Sequence, residues 1–170
     1  MKKAMLFFAA LLFSVSAHAA VLDLSAAGTS PGVTQNVGVP TGSTVIANGV
    51  VNPASPNWSS SFDLTSSADT QVVVEWKFNP SSALIGATLA FVNSVTLDET
   101  LYNITGDFVF TAFVAAGVTY WVDIFNASSS ILAYDLSISA VPIPAALWLF
   151  APALLGFFGM RRRAAKVAAA

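Results

Sequence analysis

Short runs of alternating apolar and polar residues, rich in β-branched and aromatic side chains, fill the middle of the chain and constrain its fold most strongly. Val72–Phe78 places Val72, Val74, Trp76 and Phe78 on one side of an extended chain. Side chains alternate between the two faces of a strand, so this run predicts a half-buried β-strand. β-Branched and aromatic residues are also the types that strands favour. Runs of the same kind span 58–64, 84–92, 107–113, 118–125 and 133–139.

Turn-forming groups separate these runs. They include Asn52-Pro53, Asn79-Pro80-Ser81-Ser82, Ala115-Ala116-Gly117 and the segment 126–130. Short strands at a spacing of roughly ten residues are typical of an antiparallel β-sandwich or a jelly roll. The segment 28–49 is rich in Gly, Thr, Ser and Asn and is predicted to form loops or a loosely paired edge. We therefore expect residues 20–140 to form one all-β, jelly-roll-like antiparallel sandwich domain.

The amino terminus has the pattern of a secretory signal peptide. Lys2 and Lys3 precede the short apolar run 4–15, and small residues at Ala17 and Ala19 follow it. We expect export, with signal peptidase removing residues 1–19; the alternative is an uncleaved anchor. Cleavage would remove His18, the one histidine of a chain that has no cysteine. A Ser-His-Asp triad, a Cys-His pair and an ordinary zinc site are then excluded.

The carboxyl terminus combines an apolar run with a basic stop. Residues 143–160 carry no charge and would reach roughly 27 Å as a helix, near the thickness of a bilayer core. Arg161, Arg162 and Arg163 follow directly. Positive residues stay in the cytoplasm, so we predict a transmembrane helix with the bulk of the chain outside. The alternative is a buried hairpin of the main domain.

Residues 141–170 resemble the PEP-CTERM sorting signal of Gram-negative bacteria. The resemblance rests on Val141-Pro142-Ile143-Pro144, the apolar run that contains 145–150 (Ala-Ala-Leu-Trp-Leu-Phe), and the three arginines, with Ile143 at the position of the name-giving glutamate. The family tail is recognised by an exosortase, a membrane-embedded cysteine transpeptidase. The resemblance implies cleavage near 141–144. It also implies an inner-membrane precursor that faces the periplasm and then moves to the cell surface or an extracellular polysaccharide matrix.

Charge is segregated along the chain, which has 170 residues and a net charge of −2. The span 23–135 contains all nine acids and the single base Lys77, a net charge of −8. One lysine cannot neutralise a phosphate track, so a nucleic-acid partner is excluded. Nothing in the spacing of the acids selects a catalytic pair, since the adjacent Asp98 and Glu99 would point to opposite faces of a strand. We expect no enzymatic activity.

Two binding functions stay open. Loop carboxylates suit calcium, although the chain has no Asp-x-Asp-x-Asp-Gly loop, and we expect no other cofactor. Aromatic rings suit sugars because they present flat apolar faces. Trp76 shares its parity with Val72 and Val74 and is expected in the core. Trp121 has the parity opposite to Tyr120 and is the candidate for an outward ligand-binding residue.

The sequence thus predicts a non-enzymatic exported protein, held by a membrane tail that an exosortase recognises, with a structural or adhesive role. A carbohydrate- or calcium-binding β-sandwich module is the alternative. The outer surface of the sandwich distinguishes them. A concave patch with Trp121 and converging polar groups would favour sugar binding, loop carboxylates within metal distance would favour calcium, and a flat surface with neither would favour the structural role.

Overall fold

The computed structural model describes residues 20–52, 57–129 and 132–141. The described part contains ten strands and one short 3-10 helix, Ser81–Ala83. The strands are β1 (Leu22–Thr29), β2 (Val33–Val37), β3 (Thr44–Val51), β4 (Asn57–Ser66), β5 (Thr70–Asn79), β6 (Leu84–Asn93), β7 (Glu99–Ile104), β8 (Phe108–Val114), β9 (Tyr120–Ser129) and β10 (Leu132–Val141).

The strands form two five-stranded sheets in which every pairing is antiparallel. The first sheet has the order β1-β4-β9-β6-β7, and the second has the order β2-β3-β10-β5-β8. Strands β3 to β10 have the two four-stranded sheets of a jelly roll, to which β1 and β2 each add an edge strand. The expected all-β antiparallel sandwich is confirmed.

Aromatic side chains from both sheets meet in the core. Trp58 of the first sheet stacks on Tyr134 of the second, with ring centroids 5.5 Å apart and planes within 6°. Trp76 packs against Tyr134 at 5.5 Å and against Phe62 at 6.1 Å. All four side chains are buried, and burial of one large apolar side chain contributes about 1.5–3 kcal/mol. Trp76 lies in the core, as its parity with Val72 and Val74 predicted, whereas Tyr134, predicted on the side of its strand opposite Leu136 and Ile138, shares their buried side.

The segment 28–49 differs from expectation. It contains β2 and most of β3, and β3 pairs along its whole length with β10 inside the second sheet. Its strand pattern is hard to recognise because Gly49 occupies an inward position, directly opposite Tyr134. The turn predicted over 126–130 is also wrong for residues 126–129, because these residues belong to β9, which ends at Ser129. Asn126 has φ 52°, and the pairing of β9 with both neighbouring strands shifts near it.

Several predictions fall outside the described residues. They are the signal peptide, the apolar run 143–160, Pro142, Ile143 and Pro144 of the proline motif, and Arg161–Arg163. Val141 is described and is the last residue of β10, opposite Gln71. In the described part of the chain, no helix is long and apolar enough to cross a membrane.

Candidate functional site

The outer surface of the first sheet carries one continuous row of side chains across all five strands. The register places Asp63 of β4 opposite Trp121 of β9, Trp121 opposite Val92 of β6, and Val92 opposite Glu99 of β7. Ser25 of β1 completes the row beside Asp63. Because β9 is the middle strand, Trp121 lies at the centre of the row.

A second row lies beside the first. Ser61 of β4 is opposite Asp123 of β9, and Asp123 is opposite Ala90 of β6. We call the set Ser61, Asp63, Val92, Glu99, Trp121 and Asp123 the Trp121 face. Strands in a sheet are about 4.8 Å apart, so its members are close enough to contact one extended ligand.

Trp121 is 37% exposed, although its neighbours in sequence, Tyr120 and Val122, are buried in the core. The structure places it on the outer face, where the strand alternation predicted it. Val92 lies opposite Trp121 on the outer side of β6 and is only 8% exposed. The indole therefore has an apolar neighbour across the strand pair and turns part of its surface to solvent.

Two carboxylates adjoin the indole, Asp63 across the strand pair and Asp123 two residues along β9. Asp123 accepts a hydrogen bond from the Ser61 hydroxyl. Burial raises the pKa of Asp123 above its usual value, the Ser61 hydroxyl opposes that shift, and the charges of Asp63 and Glu99 add to it. Hydrogen-bond acceptors are thus concentrated beside one flat apolar ring. Among the described residues, no strand of this sheet contains a lysine or arginine.

Apart from the Trp121 face, a recess with a volume of about 280 Å³ opens between β7 and β8. Aromatic rings line it, including Phe91 stacked on Tyr120 at 5.2 Å and Tyr102 packed on Phe110 at 4.8 Å. One of its polar groups, the Tyr120 hydroxyl, accepts hydrogen bonds from the Ala115 amide and from Nδ2 of Asn93. This recess is an extension of the aromatic core.

Of the six residues of the Trp121 face, the sequence predicted only Trp121 as a ligand-binding residue. Asp123 lies beside it on the same side of β9. Ser61, Asp63, Val92 and Glu99 were missed, since nothing local in the sequence states which strands are neighbours. For calcium, the described residues contain no group of three or more acidic, histidine or cysteine side chains that could hold a metal ion.

No protein-family model and no curated protein matches the chain. Several solved structures resemble the sandwich. A carbohydrate-binding module of Cellvibrio mixtus lichenase 5A, solved with cellotriose, is 14% identical, with 71% of this chain and 98% of that chain covered and a TM-score of 0.39. The carboxyl-terminal carbohydrate-binding module of LamC from Zobellia galactanivorans is 12% identical, with coverages of 69% and 98% and a TM-score of 0.40.

An adhesin domain is also similar in fold. The K2 cleaved adhesin domain of Lys-gingipain is 11% identical, with 71% of this chain and 89% of that chain covered and a TM-score of 0.41.

Proposed function

We propose that the sandwich binds a neutral polysaccharide through the Trp121 face. The observation that carries the proposal is the exposed indole of Trp121 at the centre of a five-strand row, with Asp63 directly opposite. A pyranose ring has an apolar face of C–H groups that stacks on an indole, while carboxylates accept hydrogen bonds from its hydroxyls. The sequence left open a structural or adhesive role and a binding module, and this geometry favours the binding module.

The charge of the face limits the class of glycan. Asp63, Glu99 and Asp123 are all acidic, and the one base in the described part of the chain, Lys77, lies on β5 of the other sheet. Uronate or sulfate groups would be repelled from this surface, since nothing near them supplies the opposite charge. A neutral hexose polymer meets no such barrier, and we expect it to bind without chemical change.

Replacing Trp121 tests the proposal. We expect Trp121→Ala to weaken binding of neutral oligosaccharides by about tenfold or more, which is about 1.4 kcal/mol or more of binding free energy. Isothermal titration calorimetry of the full chain against a panel of neutral and uronate hexasaccharides measures this. Ile46→Ala is the matched control, because Ile46 is exposed on the outer surface of the second sheet.

Three outcomes of this titration would contradict the proposal. Equal affinities of wild type and Trp121→Ala for a neutral glycan would move the site away from the Trp121 face. Binding of uronate oligomers in preference to neutral ones would contradict the charge argument. If wild type binds no member of the panel, the structural or adhesive role replaces the binding role.

We further propose that the domain reaches the cell exterior through its two ends. The pattern of residues 1–19 supports export by signal peptidase cleavage. The likeness of 141–170 to a PEP-CTERM tail supports temporary anchoring in the inner membrane and processing by an exosortase. Val141 is the last residue of β10 and the first of the proline motif, so cleavage within 141–144 would leave the body of the sandwich intact. A surface protein of this kind would contact extracellular polysaccharide directly.

A further inference from the structure

The edge strand β8 has no charged side chain along its whole length. Its sequence is Phe-Val-Phe-Thr-Ala-Phe-Val, and within the described residues it pairs with β5 alone. Val109 and Phe113 point outward and are 54% and 62% exposed. Among the described residues, the other edge of the strand therefore presents unpaired backbone groups next to exposed apolar side chains, a combination that templates pairing with another strand.

The other three edges of the sandwich lack this combination. Strand β1 carries Asp23 on its outer surface, and β7 carries Glu99. Strand β2 is five residues long and exposes Thr34 and Asn36. Charged side chains and short length are the usual devices that keep sheet edges from pairing. Among the described edges, β8 stands apart as the long uncharged one.

We propose that β8 pairs with β8 of a second copy of the chain, antiparallel about a two-fold axis at Thr111. Thr111 is the middle residue of β8, so this register matches the whole strand to itself. It places Val109 opposite Phe113 of the second copy on the outer surface, an aromatic and β-branched pair of the kind that stabilises sheets. On the inner side it places Phe110 opposite Ala112, a large residue against a small one. The second sheet of one copy and the second sheet of the other then form one continuous sheet of ten strands.

Charge opposes a second copy less at this edge than elsewhere, because β8 itself is uncharged. The domain is strongly acidic, so two copies repel each other over most of their surfaces. The outer row that contains Val109 continues to Glu75, which forms an ion pair with Lys77 at 3.0 Å. In the proposed register, Val109 of one copy lies opposite Phe113 of the second copy, and the neighbour of that Phe113 on β5 is Gln71. The two Glu75 carboxylates therefore lie in different rows and do not face each other.

The size of the contact sets its strength. One strand supplies seven residues per copy, whereas a standard stable interface has about 20–30 residues a side. The dimer is accordingly weak and concentration-dependent. Confinement of many copies to one surface would raise their effective concentration and favour pairing.

Cysteine cross-linking tests the register. The chain has no native cysteine, so each introduced thiol reports on its own position. In the proposed dimer the two Thr111 Cα atoms are about 4.5–5.5 Å apart, inside the range that a disulfide bridges. We expect the full-length Thr111→Cys chain, in mild detergent with a mild oxidant, to form severalfold more disulfide dimer than Ile46→Cys. Ile46 is the control because β3 is separated from β8 by two strands.

Two further variants make the test specific. Val109→Cys alone should cross-link weakly, but a mixture of Val109→Cys and Phe113→Cys chains should cross-link strongly, since these positions face each other. Val109→Lys should abolish concentration-dependent dimerisation in analytical ultracentrifugation, while Trp121→Ala should leave it unchanged. Cross-linking of Thr111→Cys no greater than that of Ile46→Cys would overturn the proposal. So would a Val109→Cys chain that cross-links alone as well as in the mixture.

Discussion

At the scale of single residues, the centre of the core depends on the pairing of the smallest side chain with a large aromatic ring. Gly49 of β3 lies directly opposite Tyr134 of β10, and both face inward. The absence of a side chain at Gly49 lets the ring of Tyr134 lie across β3 and stack on Trp58. There the Tyr134 hydroxyl forms a hydrogen bond of 2.7 Å with Ser60, and burial raises its pKa to about 12.

Gly49→Ala should therefore be strongly destabilising. The new Cβ would lie well inside van der Waals contact with Cζ and Oη of Tyr134, which is fixed between two tryptophans. Overpacking of this kind costs about 1–3 kcal/mol of unfolding free energy. Chemical denaturation followed by tryptophan fluorescence measures the change. Gly28→Ala is the control, since a Cβ there meets nothing within 4 Å, and equal losses for the two variants would contradict the explanation.

At the scale of strands, the sequence predicts what is local and misses what depends on partners. Six strands were predicted because each alternates with aromatic or β-branched residues. Strand β7 was missed because its outward positions are mixed, with exposed Leu101 between Glu99 and Asn103. The candidate site divides in the same way: one strand holds Trp121 and Asp123, whereas Asp63 joins them only through the pairing of β4 with β9. Strand register is a long-range property, so no local pattern predicts it.

The pairing of β4 with β9 also predicts a pH dependence. Burial, with the charges of Asp63 and Glu99, raises the folded-state pKa of Asp123 above its usual 3.8. As pH rises, Asp123 therefore loses its proton at a lower pH in the unfolded chain than in the folded chain. The protonated carboxyl contributes stability in acid, and this contribution is lost as pH rises through the folded-state pKa. We expect the thermal stability of Asp123→Asn, relative to wild type, to increase from pH 3 to pH 7.

Circular dichroism melting curves at the two pH values measure the effect. Asp23→Asn is the control, because Asp23 lies exposed on the edge strand of the same sheet. Its stability relative to wild type should change less between the two pH values. A stability of Asp123→Asn, relative to wild type, that falls from pH 3 to pH 7 would show that ionised Asp123 stabilises the fold, which is the reverse of our expectation.

At the scale of the whole molecule, the two proposed surfaces belong to different sheets. The Trp121 face covers the first sheet, and β8 is the edge of the second. Pairing through β8 therefore does not occupy the Trp121 face, and a dimer would present two glycan sites. Two linked sites bind a repeating polymer more tightly than one, since the second contact is intramolecular. In this way weak self-pairing and modest glycan affinity together would hold the domain in a polysaccharide matrix.

The last prediction concerns the route that would bring the chain to such a matrix. If residues 141–170 are a sorting signal, intact-mass spectrometry of the protein from its native cells should show a mature chain that lacks both 1–19 and the apolar run with Arg161–Arg163. Cells without the exosortase should retain the complete tail, because the cleaving enzyme is missing. Neutral replacements at the three arginines should impair retention and processing, since positive residues stop transfer across the membrane, whereas Lys166→Gln should be processed normally. A wild-type mature chain that still ends at Ala170 would exclude processing of the tail.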